Sequence, residues 1–206
     1  MIGYYNYTVI LTYVGTMFGF AGIASIWSGN LRLSLICLLL AGLCDMFDGK
    51  IASTRQRTRA ERHFGIEIDS LSDVICFGVL PSLIIFHCSG QNLWYAPICA
   101  LYMLAALVRL AWFNVDEEER QKTEDGVRKT YLGLPVTTST LLIPFVISLL
   151  NLIGLDMRHI CPWVLLCMGA AFLTPFRLHK PHTVGKIVMI VLGIGCLVVV
   201  LLGVPG

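Results

Sequence analysis

Seven apolar stretches, each close to the roughly 20 residues that a helix needs to cross a bilayer, dominate this chain. They run from Tyr7 to Trp27, Leu31 to Ala52, Phe64 to Cys88, Leu93 to Val115, Leu134 to Gly154, Ile160 to Phe176 and Val184 to Gly203. The sixth is the weakest, being short and bracketed by Pro162 and Pro175. A water-soluble fold could not hide this much apolar surface: 56% of the 206 residues are hydrophobic and 14% charged, against roughly 25% charged in soluble domains. The expected fold class is therefore all-α, a polytopic membrane helix bundle of about seven transmembrane helices, built as one integral membrane domain over residues 1–206. The first stretch has no basic leader and no small-residue cleavage site, and further spans follow it, so it is expected to be retained.

The net charge of +2 is less informative than its distribution. Arg55, Arg57, Arg59 and Arg62 lie in one loop, Arg120, Lys122, Arg128 and Lys129 in a second, and Arg177, Lys180 and Lys186 in a third. If the spans alternate, these loops share one side of the membrane, and the other side keeps Arg32 and Arg158. The positive-inside rule then puts the basic loops and the N-terminus in the cytoplasm and the C-terminus outside. A multi-pass protein of the cell membrane is expected, partnered by membrane lipids and not by nucleic acid. The eight cysteines lie within or at the ends of spans without CxxC spacing and read as buried, inert thiols. Gly15 and Gly19 make a GxxxG step in the first span, which suits close helix packing within the protomer.

The chemistry is concentrated at about 45–73, where the second and third spans form an antiparallel hairpin around the arginine-rich turn. Asp45, Asp48, Gly49 and Ala52 stand at i, i+3, i+4 and i+7, and Gly65, Asp69 and Asp73 at i, i+4 and i+8, so each set occupies one helix face. Each face offers acids toward the membrane and a small residue toward the cytoplasmic mouth, where bulk would block a phosphate. An acid in the middle of a membrane helix costs about 2.5 to 3.5 kcal/mol on insertion scales. Two carboxylates about 4 Å apart repel by roughly 4 kcal/mol at an effective dielectric near 20, so three such pairs approach ~12 kcal/mol. That is comparable to a whole domain's stability of roughly 5 to 15 kcal/mol. The cluster must be protonated, paired with cations, or bound to metal. Lys50 and the turn arginines could offset part of the charge, although long basic side chains snorkel outward. An all-oxygen set favours Mg²⁺, Mn²⁺ or Ca²⁺ over zinc, and His63 reads as a solvated loop residue. Metal-assisted phosphoryl transfer fits such a pocket, and an acid not needed as a ligand could take a proton from the acceptor.

The same run resembles the signature of the CDP-alcohol phosphotransferases, Asp-x-x-Asp-Gly-x-x-Ala-Arg, an interval, then Gly-x-x-x-Asp-x-x-x-Asp. Asp45, Asp48, Gly49, Ala52, Gly65, Asp69 and Asp73 match it in order. Ser53 stands where the signature has arginine, and the interval to Gly65 is longer than usual, so Arg55 is expected to take the phosphate contact from a lengthened turn. The resemblance implies a six-helix core, commonly dimeric. It implies Asp45, Asp48 and Asp69 as ligands of two divalent ions, Mg²⁺ or Mn²⁺, with Asp73 either sharing the metal site or acting mainly as base. Gly49, Ala52 and Gly65, with Ser53 and Arg55, would bind the CDP moiety. Glu67 lies on another face of its helix and is left out of the site.

Three flanking segments, Phe77-Gly78-Val79-Leu80-Pro81, Arg109-Leu110-Ala111-Trp112-Phe113-Asn114 and Tyr131-x-Gly133-Leu134-Pro135, are similar to those of membrane-embedded phosphatidylserine synthases. Many of these carry a second arginine where Trp112 stands. Arg109 is either a donor to the carboxylate of serine or to a substrate phosphate, or a snorkelling anchor. The resemblance therefore implies transfer of a phosphatidyl group from CDP-diacylglycerol to L-serine, giving phosphatidylserine and CMP. Two rivals stand beside it: the same chemistry with glycerol 3-phosphate or an inositol compound as acceptor, and a cation transporter or channel with acids in its pathway.

Overall fold

The computed structural model describes residues 3–123, 130–175, 177–179 and 183–204, with side chains left out at 120–132 and 176–187. Arg120, Lys122, Arg128, Lys129, Arg177, Lys180 and Lys186, the cations expected in the second and third loops, lie outside the described side chains, as does Phe176.

Among the described residues the regular structure is all helical apart from one short ladder. Helices α1 (Tyr7–Trp27) and α2 (Leu31–Ala52) are followed by a rod made of α3 (Arg59–Asp73), a π-helical stretch (Val74–Val79) and α4 (Leu80–Cys88). A 3₁₀ turn (Leu93–Tyr95) leads into α5 (Ala96–Thr123), a second (Val136–Thr138) into α6 (Ser139–Leu152), and α7 (Met157–Leu173) and α8 (Thr183–Gly203) complete the bundle. Strand β1 (Thr130–Leu132) pairs antiparallel with β2 (Arg177–His179), Tyr131 opposite Leu178. In lipid every backbone polar group must be satisfied internally, and helices achieve this within each segment.

Three helical stretches are long and apolar enough to cross a membrane: Tyr7–Trp27, Arg59–Cys88 and Leu93–Glu119. Val136–Leu152, Met157–Leu173 and Val188–Gly203 are shorter apolar helices. Helix α2 has the length but not the composition, because any 18 consecutive residues of it include three of Arg32, Asp45, Asp48 and Lys50. The helix that carries the first acids is thus set apart by those acids. Two boundaries differ most from expectation. The third rod starts at Arg59, not Phe64, because Thr58 and Glu61 form a reciprocal capping box, which satisfies two orphan N–H donors at the helix start. The fourth runs on to Thr123 through the polar residues after Val115, which are rich in glutamate, a good helix former.

Helix α1 lies along α2 through glycines. A Cβ on Gly15 would meet Cys44 at 3.3 Å, one on Gly19 the Cys76 sulfur at 2.7 Å, and one on Gly22 the Leu80 side chain at 2.8 Å. The GxxxG step therefore packs α1 against α2 and the π stretch within the chain. The core gathers Leu35, Leu38, Phe77, Leu80, Ile84, Tyr102, Ile143, Ile147, Leu165 and Phe172 between α2, α4, α5, α6 and α7. Outward faces carry exposed apolar side chains such as Met17, Phe20, Leu104, Trp163, Val191 and Leu202. At the end of the bundle where α2 starts, Arg32 Nε donates to Val204 O (2.7 Å), so α8 finishes there. The α2–α3 turn and the β1–β2 ladder belong to the opposite end.

Candidate active site

Asp45 and Asp48 project from the last two turns of α2 and Asp69 from α3, and one carboxylate oxygen of each lies within 4.8 Å of the other two. Asp48 is buried, and Asp45 and Asp69 are half-buried. Hard divalent cations hold oxygen ligands at roughly 2.0 to 2.6 Å, so ligands of one ion stand at most about 5 Å apart. The three aspartates fit that span, and the donor set is all oxygen. Asp73, half-buried at the last residue of α3, stands outside this group of three.

Among the described residues no arginine or lysine nitrogen comes within 4.0 Å of the aspartates, and Arg55 of the neighbouring turn pairs with Glu61 instead (3.5 Å). Lys50 is exposed. Of the three ways to relieve clustered carboxylates, pairing with cations is therefore not used among the described residues, and protons or a metal ion are the other two.

Helix α1 supplies a support that sequence reasoning missed. The buried Thr12 hydroxyl donates to Asp48 Oδ2 (3.3 Å). One turn on, Thr16 donates to Thr12 O (2.8 Å) and is hydrogen-bonded to Ser72 (2.7 Å). A hydroxyl has one proton, so Ser72 is the donor to Thr16. The signal available in the sequence was two threonines at i, i+4 in an apolar span. Across the rod, Asn114 Nδ2 donates to Ser70 Oγ (2.9 Å), which ties α5 to the turn of α3 between Asp69 and Asp73.

At the mouth, a Cβ on Gly49 would have no heavy atom within 4 Å, so this glycine borders open space. Ala52, the last residue of α2, is half-buried. Ser53 is exposed and its hydroxyl donates to Lys50 O (2.7 Å). Arg55, expected at the phosphate, is directed to Glu61 with 41% of its side chain exposed. Gly65 faces the guanidinium of Arg57, whose Nη1 would lie 3.0 Å from an added Cβ. His63 and Glu67 are exposed; His63, expected in a loop, lies within α3, whose capping box starts the helix at Arg59.

The three flanking segments meet around α5. Arg109 is 6% exposed. Its Nε donates to Leu134 O (3.4 Å), and its guanidinium carbon lies 5.7 and 5.6 Å from the ring centroids of Trp112 and Phe113. Gly133 adopts φ +76°, and a Cβ there would stand 2.9 Å from Phe172 O, so glycine is required by conformation and by space. A cavity of about 280 Å³ opens beside Arg109, lined also by Val108, Trp112, Gly133, Phe172 and Thr174. It is apolar with one buried cation, an arrangement suited to orienting a small anionic group.

The profile of the CDP-alcohol phosphatidyltransferase family matches residues 5–176. The chain is 34% identical over 143 residues to CDP-diacylglycerol–serine O-phosphatidyltransferase of Saccharomyces cerevisiae, an alignment covering 64% of this chain and 50% of that one. It is 31% identical over 137 residues to the Helicobacter pylori protein of the same name, covering 64% and 54%. Against the Bacillus subtilis protein of that name it is 26% identical over 180 residues, covering 86% and 91%. The chain thus spans about half the length of the yeast and Helicobacter relatives and nearly all of the Bacillus one.

Proposed function

The chain belongs to the CDP-alcohol phosphatidyltransferase family, and from that premise we propose that it transfers the phosphatidyl group of CDP-diacylglycerol to L-serine, giving phosphatidylserine and CMP. The observation that carries the proposal is the set of three aspartates with oxygens within 4.8 Å of one another and, among the described residues, no cationic side chain against them. Serine as acceptor is supported by the names of the similar proteins and by the buried Arg109 beside a small cavity.

In this scheme Asp45, Asp48 and Asp69 hold one or two divalent ions, Mg²⁺ or Mn²⁺. When bound, such ions neutralise charge developing on phosphate oxygens. Gly49, Ala52 and Gly65 leave room for the CDP moiety at the mouth, with Ser53 and Arg55 at its rim. Asp73, at the edge of the metal site, accepts the proton of the serine hydroxyl as that oxygen attacks the phosphatidyl phosphorus. The bond from phosphorus to the CMP oxygen breaks, and CMP leaves with the bonding pair. Arg109 binds the serine carboxylate through its planar fork of donors. A single membrane domain of seven spans with a six-helix core, a site facing the cytoplasm at the cell membrane, and a homodimer are further parts of the proposal.

The test uses purified full-length protein in detergent with CDP-diacylglycerol and, separately, serine, glycerol 3-phosphate and inositol. CMP is expected with serine, lost in EDTA and restored by Mg²⁺ or Mn²⁺. Faster CMP release with another alcohol overturns the acceptor. Catalysis indifferent to EDTA overturns the metal site.

A further inference from the structure

Four arginines crowd the turn between α2 and α3 and the start of α3, and they are not alike. Arg55, Arg59 and Arg62 are exposed, and Arg57 is half-buried. Long cationic side chains ordinarily keep their heads in water, so an arginine less exposed than its three neighbours calls for a reason. A carboxylate is not that reason, because the ion pair of this turn is Arg55 to Glu61 and no described acid lies within 4.0 Å of Arg57. What Arg57 faces is Gly65, where an added Cβ would stand 3.0 Å from Nη1. Gly65 shares its α3 face with Asp69 and Asp73, and Asp69 is one turn, about 6 Å, further along the helix.

The backbone that carries Arg57 is held firmly. Its neighbour Thr58 is the N-cap of α3: Thr58 N donates to Glu61 Oε2 (2.9 Å) and Glu61 N to Thr58 Oγ1 (3.2 Å). Asn6, ahead of α1, donates to Glu61 Oε1 (3.2 Å). The lengthened turn is therefore tied at Glu61 from three directions, and it delivers a guanidinium to the mouth that Ser53, turned back to Lys50 O, does not.

We propose that Arg57 binds a phosphate oxygen of the CDP-linked substrate above Gly65, supplying the guanidinium that Ser53 lacks at the signature position. Gly65 is glycine because the guanidinium and the phosphate share the space that a side chain would fill. The inference rests on the CDP-diacylglycerol reading given above.

The experiment measures binding of CDP-diacylglycerol in detergent micelles with Mn²⁺ and no acceptor, by titration calorimetry, for wild type, Arg57→Gln, Arg57→Lys and Arg59→Gln. Arg57→Gln is expected to bind at least tenfold more weakly, a change of about 1.4 kcal/mol. Arg57→Lys falls between it and wild type, since a point charge replaces a planar fork. Arg59→Gln removes the same charge from an exposed position of α3 and stays within about twofold of wild type. Wild type that fails to bind overturns the functional reading itself. Wild type that binds, with both Arg57 variants binding equally well, overturns the role of Arg57 alone. An equal loss in Arg59→Gln also overturns it, because the effect is then one of general charge. Arg57→Lys keeps the test valid if the glutamine variant fails to fold.

Discussion

Thr12 restrains Asp48 through one hydrogen bond of 3.3 Å from a helix that carries no charged side chain. A hydrogen bond to a charged group is worth about 1.5 to 3 kcal/mol, so Thr12→Val, which keeps the shape, should raise the Mg²⁺ concentration for half-maximal CMP release roughly tenfold. At saturating Mg²⁺ the rate should return to within a few-fold of wild type, and an unshifted Mg²⁺ titration would remove Thr12 from the site. The acids themselves divide by role. Asp69→Asn should abolish Mn²⁺ binding read by electron paramagnetic resonance, together with turnover. Asp73→Asn should retain Mn²⁺ and lose about 10² to 10⁴ in rate, the range of a general base. An Asp73→Asn protein with full turnover excludes the base. The acids were legible because charge in an apolar span is conspicuous and helical spacing places it on one face. Thr12 was not, because hydroxyls in membrane helices commonly satisfy themselves on the preceding turn, as Ser25 does on Ala21 O (2.7 Å).

Between residue and bundle, the rod from Arg59 to Cys88 shows how one element is tuned from outside. Pro81 has no N–H, so the carbonyl that an α-helical residue 81 would serve, that of Phe77, needs another donor. The hydroxyl of buried Tyr102 on α5 provides it (2.8 Å), and the backbone between passes through the π stretch of Val74–Val79. Tyr102→Phe should leave the Phe77 carbonyl unsatisfied and cost about 1 to 3 kcal/mol, seen as a lower unfolding midpoint in detergent. An unchanged midpoint shows that the carbonyl has found a different donor. The helical rods were readable from hydropathy, and the start of α3 could have been read too, since Thr58-Arg59-Ala60-Glu61 is a capping-box pattern. The π stretch was not readable. Pro81 marks locally where an α-helical donor is missing, but the hydroxyl that serves the Phe77 carbonyl instead lies 25 positions away, which no local pattern contains. The same holds for the approach of Gly133 and Leu134 to Arg109, where a positive φ on one loop places a carbonyl beneath a guanidinium on another element.

For the molecule as a whole, the surface inverts that of a soluble enzyme: apolar side chains lie outside as well as in the core, and the aspartates gather between helices. The fold class was legible because lipid leaves so few ways to satisfy a backbone. The order in which the rods pack was not, since helices in lipid gain little from burying apolar surface and rely on close approach of small residues. This inversion predicts how stability responds to metal. Asp45 and Asp48 belong to α2 and Asp69 to another rod, so when all three are ionised the repulsion of Asp69 by the α2 acids, roughly 4 kcal/mol per close pair, pushes two rods apart. A divalent ion bound there removes that force and also stabilises the native state by mass action, by about 2.7 kcal/mol at a concentration 100 times its dissociation constant. At roughly 2 to 4 °C per kcal/mol for a domain of this size, saturating Mg²⁺ or Mn²⁺ should raise the unfolding midpoint by about 5 to 10 °C over EDTA. Asp69→Asn lowers the repulsion and deletes a ligand together. It should therefore unfold in EDTA no earlier than wild type does in EDTA, and gain almost nothing from added metal. If the wild-type midpoint is the same in EDTA and in Mn²⁺, the three carboxylates are held together by protons and not by an ion.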